Sequence, residues 1–280
     1  MTVTYKSILV QVDRTKANAG RVDTAIALAL RHEAHLTGLY LMVEPSGASF
    51  ARGYLPEEFL ANAAAQGMAL AKDKLAQFSA AAKRNLVPFE TRIDRGLDVE
   101  LSDLFSMHAR YSDLVVVGQD DPDDPAPGHL PEQLVLASGR PILLIPYIGA
   151  GATMGERVVV AWDASREAAR AVSDALPILE RAASVVVVTI NPKQRDFGHG
   201  EMPGADIALH LARHGVKVEV QRVENREMDV GNALLSHLAN QSADLLVMGG
   251  YGHSRLREIV LGGATRTVLS DMTVPVLMSH

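Results

Sequence analysis

Asp244-Leu-Leu-Val-Met-Gly249 and its counterpart Asp113-Leu-Val-Val-Val-Gly118 decide how this chain folds. Each is an apolar run with an acidic residue before it and a glycine at its end. Such a run suits a strand buried on both faces of a parallel sheet, where alternation between polar and apolar residues is lost. Working outward from both, the same order of elements recurs. The first half opens with Ser7-Ile-Leu-Val-Gln-Val-Asp13 and the second with Arg157-Val-Val-Val-Ala-Trp-Asp163, two further apolar runs that end in Asp. An Ala-rich amphipathic pattern follows each, predicting helices over Ala17–Glu33 and Arg166–Arg181. Second strands are predicted at His35–Val43 and Ser184–Ile190, and third strands at Pro88–Ile93 and Lys217–Val223. Helices at Asp98–Arg110 and Val230–Gln241 come next, and last strands at Pro141–Pro146 and Val274–His280.

The halves differ mainly after the second strand. Pro56–Leu86 predicts a long helix, whereas its counterpart Ala205–His214 is short. Asp13 and Asp163 stand 150 positions apart but Gly118 and Gly249 only 131, so the lost residues fall between those markers. Strands alternating with helices imply right-handed βαβ units and a mostly parallel sheet in each half. The Gly-rich stretch Pro146–Gly155 has no apolar period and reads as a linker. The expectation is an α/β chain of two tandem repeats, 1–147 and 156–280, each a five-stranded parallel sheet of flavodoxin-like or Rossmann-like winding. The two repeats are expected to pack as a pseudo-dimer, because a duplicated chain can replace the two-fold interface of a single-repeat protein.

At 280 residues, 48% apolar and 21% charged, the chain can bury two ordinary cores. A net charge of −6 gives no reason to expect nucleic acid or an anionic membrane as a partner. Cysteine is absent, which removes disulfides, thiolate chemistry and Cys-ligated metals. Met1–Val10 runs directly into a strand pattern without a signal-peptide profile, and no stretch approaches the ~20 apolar residues of a bilayer span. These features predict a cytoplasmic, unanchored protein.

Chemistry concentrates in Met248-Gly-Gly-Tyr-Gly-His-Ser-Arg-Leu-Arg-Glu-Ile-Val-Leu-Gly-Gly-Ala-Thr265. Gly249 and Gly252 follow the fourth strand, and Gly262 and Gly263 open a helical run. In an open parallel sheet, ligands sit beyond the carboxyl ends of the strands, where the winding reverses. Glycines let backbone approach a phosphate, and a helix N-terminus offers N–H donors with a positive partial charge. Asp163 would face the same crevice from the neighbouring strand. Neither G-x-x-x-x-G-K-[ST] nor G-x-G-x-x-G is present, so P-loop hydrolysis and dinucleotide binding lose support.

The spacing Gly249-x-x-Gly252, nine residues, Gly262 resembles the G-x2-G-x9-G-[ST] signature of the universal stress protein family. The Asp-ended first strands and the closing Val274-Pro-Val-Leu277 resemble that family too, and the likeness extends over both halves. The resemblance implies a stress-response regulatory protein that holds an adenine nucleotide in its C-terminal repeat. ATP (or AMP or ADP), with Mg2+ accompanying the phosphates, is the implied ligand. Asp163, Thr189 and Ile190 would lie near adenine or ribose, and Met248, Gly249 and Gly252 near ribose and phosphates. Gly262, Gly263, Ala264 and Thr265 would meet the phosphates with backbone N–H groups and one hydroxyl. Gly263 stands where the family has Ser or Thr, which removes one side-chain hydroxyl. Thr265 is a candidate replacement.

The first half departs further. Gln119-Asp-Asp-Pro-Asp-Asp-Pro-Ala-Pro-Gly128 places four carboxylates and three prolines where loop glycines are needed, and Leu136-Ala-Ser-Gly139 does not match the second glycine pair. Carboxylates repel a triphosphate and prolines lack N–H donors, so this repeat is expected to bind no ATP. Simpler readings stand beside these. Asp163 in Asp163-Ala-Ser165 would serve equally as a helix cap. The glycines could be turn residues alone, and Asp120–Asp124 a solvated loop rather than a cation site. His253, Arg255 and Arg257 either touch phosphate or lie on the surface. His210 and His214, with His199 nearby, lack a placed third ligand for zinc. No catalytic constellation can be placed, so at most slow ATP hydrolysis is expected. The rival reading is an interaction scaffold of the same fold, with protein partners or homodimerisation and no nucleotide.

Overall fold

The computed structural model describes residues 4–44, 57–124, 130–150, 154–192, 202–251 and 263–280. They divide into two compact units, Tyr5–Ser138 and one built on Gly139–His280. In the first unit the order is β1 (Ser7–Val12), α1 (Asn18–His32), β2 (His35–Glu44), α2 (Glu57–Arg84), β3 (Phe89–Leu97), a short 3-10 turn (Asp98–Glu100), α3 (Leu101–Ala109), β4 (Leu114–Gly118) and α4 (Leu130–Ala137). Its strands lie in the order β3-β2-β1-β4, with β1 parallel to both β2 and β4 and β2 parallel to β3. The near-continuous apolar runs explain the placement: β4 is buried along its whole length, whereas in β3 only Gly96 is buried and charged residues recur, as suits an edge strand.

The second unit begins with β5 (Ile142–Ile145) and continues through β6 (Arg157–Ala161), α5 (Arg166–Leu179), β7 (Ser184–Ile190), α6 (Ala205–Arg213), β8 (Val218–Val223), α7 (Val230–Asn240), β9 (Leu245–Gly249), α8 (Ala264–Asp271) and β10 (Val276–Ser279). Five parallel strands take the order β8-β7-β6-β9-β10. The winding therefore reverses between β6 and β9. β5 pairs antiparallel with β10, Leu143 opposite Leu277. The sequence pattern assigned this strand to the first repeat, and by its contacts it belongs to the second unit.

The duplication is visible in register. Ile8 pairs with Leu114 and Val10 with Val116 in one unit; Val158 pairs with Leu245 and Val160 with Val247 in the other. Gln11, Asp13, Asn18 and Arg21 thus correspond to Ala161, Asp163, Ala168 and Ala171, and Gly118 to Gly249. Among the described residues, no helix is long and apolar enough to cross a membrane.

Candidate functional site at the carboxyl ends of the second unit's strands

Register brings the ends of four strands of the second unit together. Beyond β6, the Trp162 N–H donates to the Val188 carbonyl at 2.9 Å, extending the pairing toward Thr189. On the other side Gly249 lies opposite Ser279, and the Gly250 N–H donates to the Ser279 carbonyl at 2.9 Å. Trp162, Thr189, Gly249 and Ser279 therefore mark one edge of the sheet, at the point where a doubly wound fold places its ligand.

Asp163 leaves β6 exposed to solvent, and its Oδ1 accepts from the Ser165 N–H at 3.0 Å. The turn is closed by Ala164 in the left-handed region, φ 61°. Ser165, rather than Asp163, caps α5: its Oγ accepts from the Ala168 N–H at 3.1 Å. Among the described residues, no hydrogen bond engages the second oxygen of the Asp163 carboxylate.

Gly249 is required by close approach. A Cβ there would lie 2.5 Å from the Ala168 nitrogen, 2.7 Å from the Glu167 carbonyl carbon and 2.9 Å from the Glu167 Cβ. The first turn of α5 rests directly on the end of β9, so its backbone dipole is aimed at the switch point. Met248, by contrast, is a core side chain, 6% exposed, and reaches the edge only through its backbone. Thr189 is 1% exposed, and its hydroxyl has no partner among the described residues. Ile190 is half-buried beside it. Just beyond, Asn191 accepts from the Asn225 N–H at 2.8 Å and donates to the Asn225 carbonyl at 2.6 Å, bracing β7 to the end of β8.

α8 starts from Gly263, which gives it no side-chain cap, and Ala264 forms its first residue. Thr265 is buried, and its Oγ1 accepts from the Tyr251 N–H at 3.2 Å. That hydroxyl therefore ties the helix to the chain leaving β9, where Tyr251 itself has φ 56°. The His280 ring lies 3.0 Å from the Gly250 carbonyl. Gly252 and Gly262, with His253, Arg255 and Arg257, lie outside the described residues. The structure brings Asp163, Thr189, Ile190, Met248 and Gly249 to one edge.

Sequence reading missed Glu167. It is 3% exposed, packs under Gly249, and pairs with Arg166, pushing that guanidinium further above its ordinary pKa. Its position after the capping serine is where helices favour an acid, which was the available signal.

The equivalent edge of the first unit is filled by its own side chains. Arg21 is 2% exposed. Its NH2 lies 2.6 Å from Asp13 Oδ2, its Nε donates to the Gln11 carbonyl at 2.9 Å, and its NH2 reaches Asn18 Oδ1 at 3.3 Å. Burial pulls the guanidinium pKa below its ordinary value, and the attraction and hydrogen bond of Asp13 oppose that. Asp13 also accepts from the Thr15 N–H and hydroxyl, at 2.9 and 2.6 Å. The Gly118 N–H donates to Gln11 Oε1 at 3.1 Å. From the acidic loop, Asp124 accepts from the Lys16 N–H just ahead of α1, at 3.0 Å. Among the described residues, no group of three or more His, Asp or Glu side chains is placed to hold a metal ion. His210 and His214 stand with ring centroids 4.8 Å apart on exposed surface.

Residues 154–280 match the model of the universal stress protein family. Universal stress protein Slr1230 from Synechocystis is 36% identical over 67 residues, 24% of this chain and 22% of that protein. The matched stretch thus spans less than a quarter of the curated relative's length. The solved structure of a universal stress protein from Archaeoglobus fulgidus has a TM-score of 0.75 at 14% identity, over 98% of this chain and 95% of that one. A functionally unknown protein, PA1789 of Pseudomonas aeruginosa, gives 0.60 at 14% identity, over 98% and 92%. At these identities the two structures speak for the fold.

Proposed function

With residues 154–280 a universal stress protein domain, we propose that this chain is a stress-response regulatory protein whose second unit binds one adenine nucleotide, ATP foremost, at the carboxyl ends of β6 and β9. The observation that carries the reading is the buried Thr189 hydroxyl, without a partner among the described residues, beside the exposed Asp163 carboxylate at the switch point. A buried hydroxyl without a hydrogen bond costs free energy, and a bound ribose or base would supply the missing partner. Asp163, Thr189 and Ile190 hold the nucleoside. Gly252, Gly262 and Gly263 are the glycines left to meet its phosphates, since Gly249 is covered by the first turn of α5, and the start of α8, without a side-chain cap from Gly263, adds N–H donors from Ala264 and Thr265. Any Mg2+ enters with the phosphates. Binding alters the surface that the Gly249–Gly263 segment offers to protein partners, and no group is nominated to hydrolyse the nucleotide.

The first unit binds none, because Arg21 and Asp124 fill its switch point and helix start from within. A second reading, a scaffold without nucleotide, is favoured by one observation. The Thr265 hydroxyl oxygen already accepts from the Tyr251 N–H, which ties it to the chain leaving β9 rather than leaving it to stand in for the hydroxyl missing at Gly263.

Mass spectrometry of nucleotide released from the purified, heat-denatured protein, followed by titration of ATP against the melting temperature, separates the two. One adenine nucleotide per chain, or a concentration-dependent rise in melting temperature, supports the first reading; at a hundredfold excess over Kd the rise corresponds to about 2.7 kcal/mol. Two per chain would contradict the sealed first unit. Neither nucleotide nor shift would leave the scaffold.

A further inference from the structure

We propose that the first unit is built around an internal guanidinium ligand: the Gln11 carbonyl, Asp13, Asn18 and Gly118 form a receptor for a planar cation, and Arg21 is its resident occupant. The receptor is assembled from three elements. β1 supplies the Gln11 carbonyl and, directly after it, the Asp13 carboxylate; α1 supplies Asn18 Oδ1; and β4 supplies a flat floor at Gly118. Three acceptors converge on the Nε and NH2 side of one guanidinium while NH1 lies over Gly118, an arrangement that suits a planar fork of N–H donors. The floor is specific as well. A Cβ on Gly118 would come within 2.1 Å of Arg21 NH1, so the strand leaves room for the cation and for no side chain of its own.

The second unit is the internal control. At the corresponding positions it carries Ala161, Ala168 and Ala171 in place of Gln11, Asn18 and Arg21, and keeps only Asp163 and Gly249. There the gap over the glycine is closed by helix backbone, with Ala168 and Glu167 packed on Gly249, and Asp163 turns to solvent. One frame therefore carries two solutions: backbone on glycine, or a guanidinium wedge held between helix and strand. The wedge brings its own counter-charge, Asp13, whose other oxygen is held by Thr15. Gln11, Asp13, Thr15, Asn18 and Arg21 are all buried, so the receptor is a built interior site rather than a surface ion pair. Its consequence is a first unit whose folding depends on a ligand it always carries. This inference does not rest on the nucleotide reading, since none of its tests uses nucleotide.

The test is chemical rescue in the full chain. Arg21→Ala leaves the three acceptors around a vacancy shaped for guanidinium. Its melting temperature is measured in low-millimolar guanidinium chloride, well below the denaturing range, and in sodium chloride at matched ionic strength. The expected result is a variant that melts below the wild type and gains a few degrees from guanidinium over sodium, while the wild type gains nothing. Equal melting in the two salts would overturn the proposal. Should Arg21→Ala not fold, Arg21→Lys keeps the charge but places no NH1 on Gly118. Gly118→Ala is then expected to lower the folding constant at least about tenfold less in the Arg21→Lys chain than in the wild-type chain. Equal losses in the two backgrounds would show that the guanidinium does not occupy that floor.

Discussion

Replacing Gly249 by alanine tests how the second unit's switch point is built. The added methyl meets main-chain atoms of α5, 2.5 Å from the Ala168 nitrogen and 2.7 Å from the Glu167 carbonyl carbon. Both distances fall below what van der Waals radii allow, and neither atom belongs to a flexible side chain that could swing away. Relief requires α5 to move off β9, breaking contacts of buried Ala168, Ala171 and Val172. Overpacking of a core costs typically 1–3 kcal/mol, and a clash with backbone belongs at the upper end, about 3 kcal/mol. For a unit of this size that corresponds to a loss of roughly 6–12 °C in melting temperature. Calorimetry gives the shift. The fluorescence of Trp162, the sole tryptophan, follows the same edge of the sheet, because its N–H pairs with Val188 beside the site. Melting of Gly249→Ala within about a degree of wild type, with unchanged Trp162 emission, would refute the close approach of helix and strand.

Thr189→Val removes the buried hydroxyl that lacks a partner among the described residues at nearly constant volume; thermal melts should show equal or higher stability without nucleotide, by up to about 1 kcal/mol, and ATP titration a weaker affinity. Asp13→Ala strands the buried Arg21 charge and should cost about 3–5 kcal/mol in urea unfolding, much of it recovered when Arg21 is replaced as well. His237 is buried, and desolvation holds its pKa below the ordinary 6.5. The unfolded chain then binds the proton more readily, so stability is full above pH 6.5 and falls as pH drops through and below it; a pH series of melts should show this slope, reduced in His237→Gln. Asp94 is held below its ordinary pKa: burial works against this, and hydrogen bonds from His108 and the Arg95 N–H outweigh it. The stability it contributes is present above pH 3.8 and lost as pH falls through its folded value, and His108→Ala should diminish that loss in acid melts.

How far the fold was legible depends on what kind of information each element carries. β1, β4, β6 and β9 are apolar runs closed by turn residues, and such runs in sequence identify buried parallel strands without reference to any partner. The antiparallel pairing of β5 with β10 was not legible, because Ile142-Leu-Leu-Ile145 specifies burial but neither direction nor neighbour. α4 was hidden because Leu130-Pro131 follows an acidic, Pro-rich stretch that reads as loop, although Pro at a first helical turn is well tolerated. At the site, Asp163 and Gly249 were legible from their positions after strands. The cap at Ser165 lay two residues past the expected one, because Ala164 takes a left-handed turn that the sequence does not announce. Arg21 was invisible for a different reason: an arginine in an Ala-rich amphipathic helix is normally a solvated side chain, and only the tertiary placement of Gln11, Asp13 and Gly118 reveals that this one points inward.

The comparison of Asp13 with Asp163 shows how one residue, kept in both repeats, takes two roles. In the first unit the carboxylate is engaged from within: Thr15 donates to one oxygen and the Arg21 guanidinium forms an ion pair with the other, both out of water. In the second unit the same carboxylate receives, among the described residues, one bond from the Ser165 N–H, and it stands in solvent. A buried carboxylate paired with an internal guanidinium is not presented to a ligand, and its removal is a stability event. An exposed carboxylate with a spare oxygen costs little to keep and little to delete, so its replacement should alter binding rather than folding. Substituting each aspartate in turn therefore separates two functions of one position: loss of stability is expected at Asp13, and loss of ligand affinity without loss of stability at Asp163. If Asp163→Ala destabilised the chain as much as Asp13→Ala, the conserved geometry would be architectural in both units, and the nucleotide reading of the second would lose its nearest side chain.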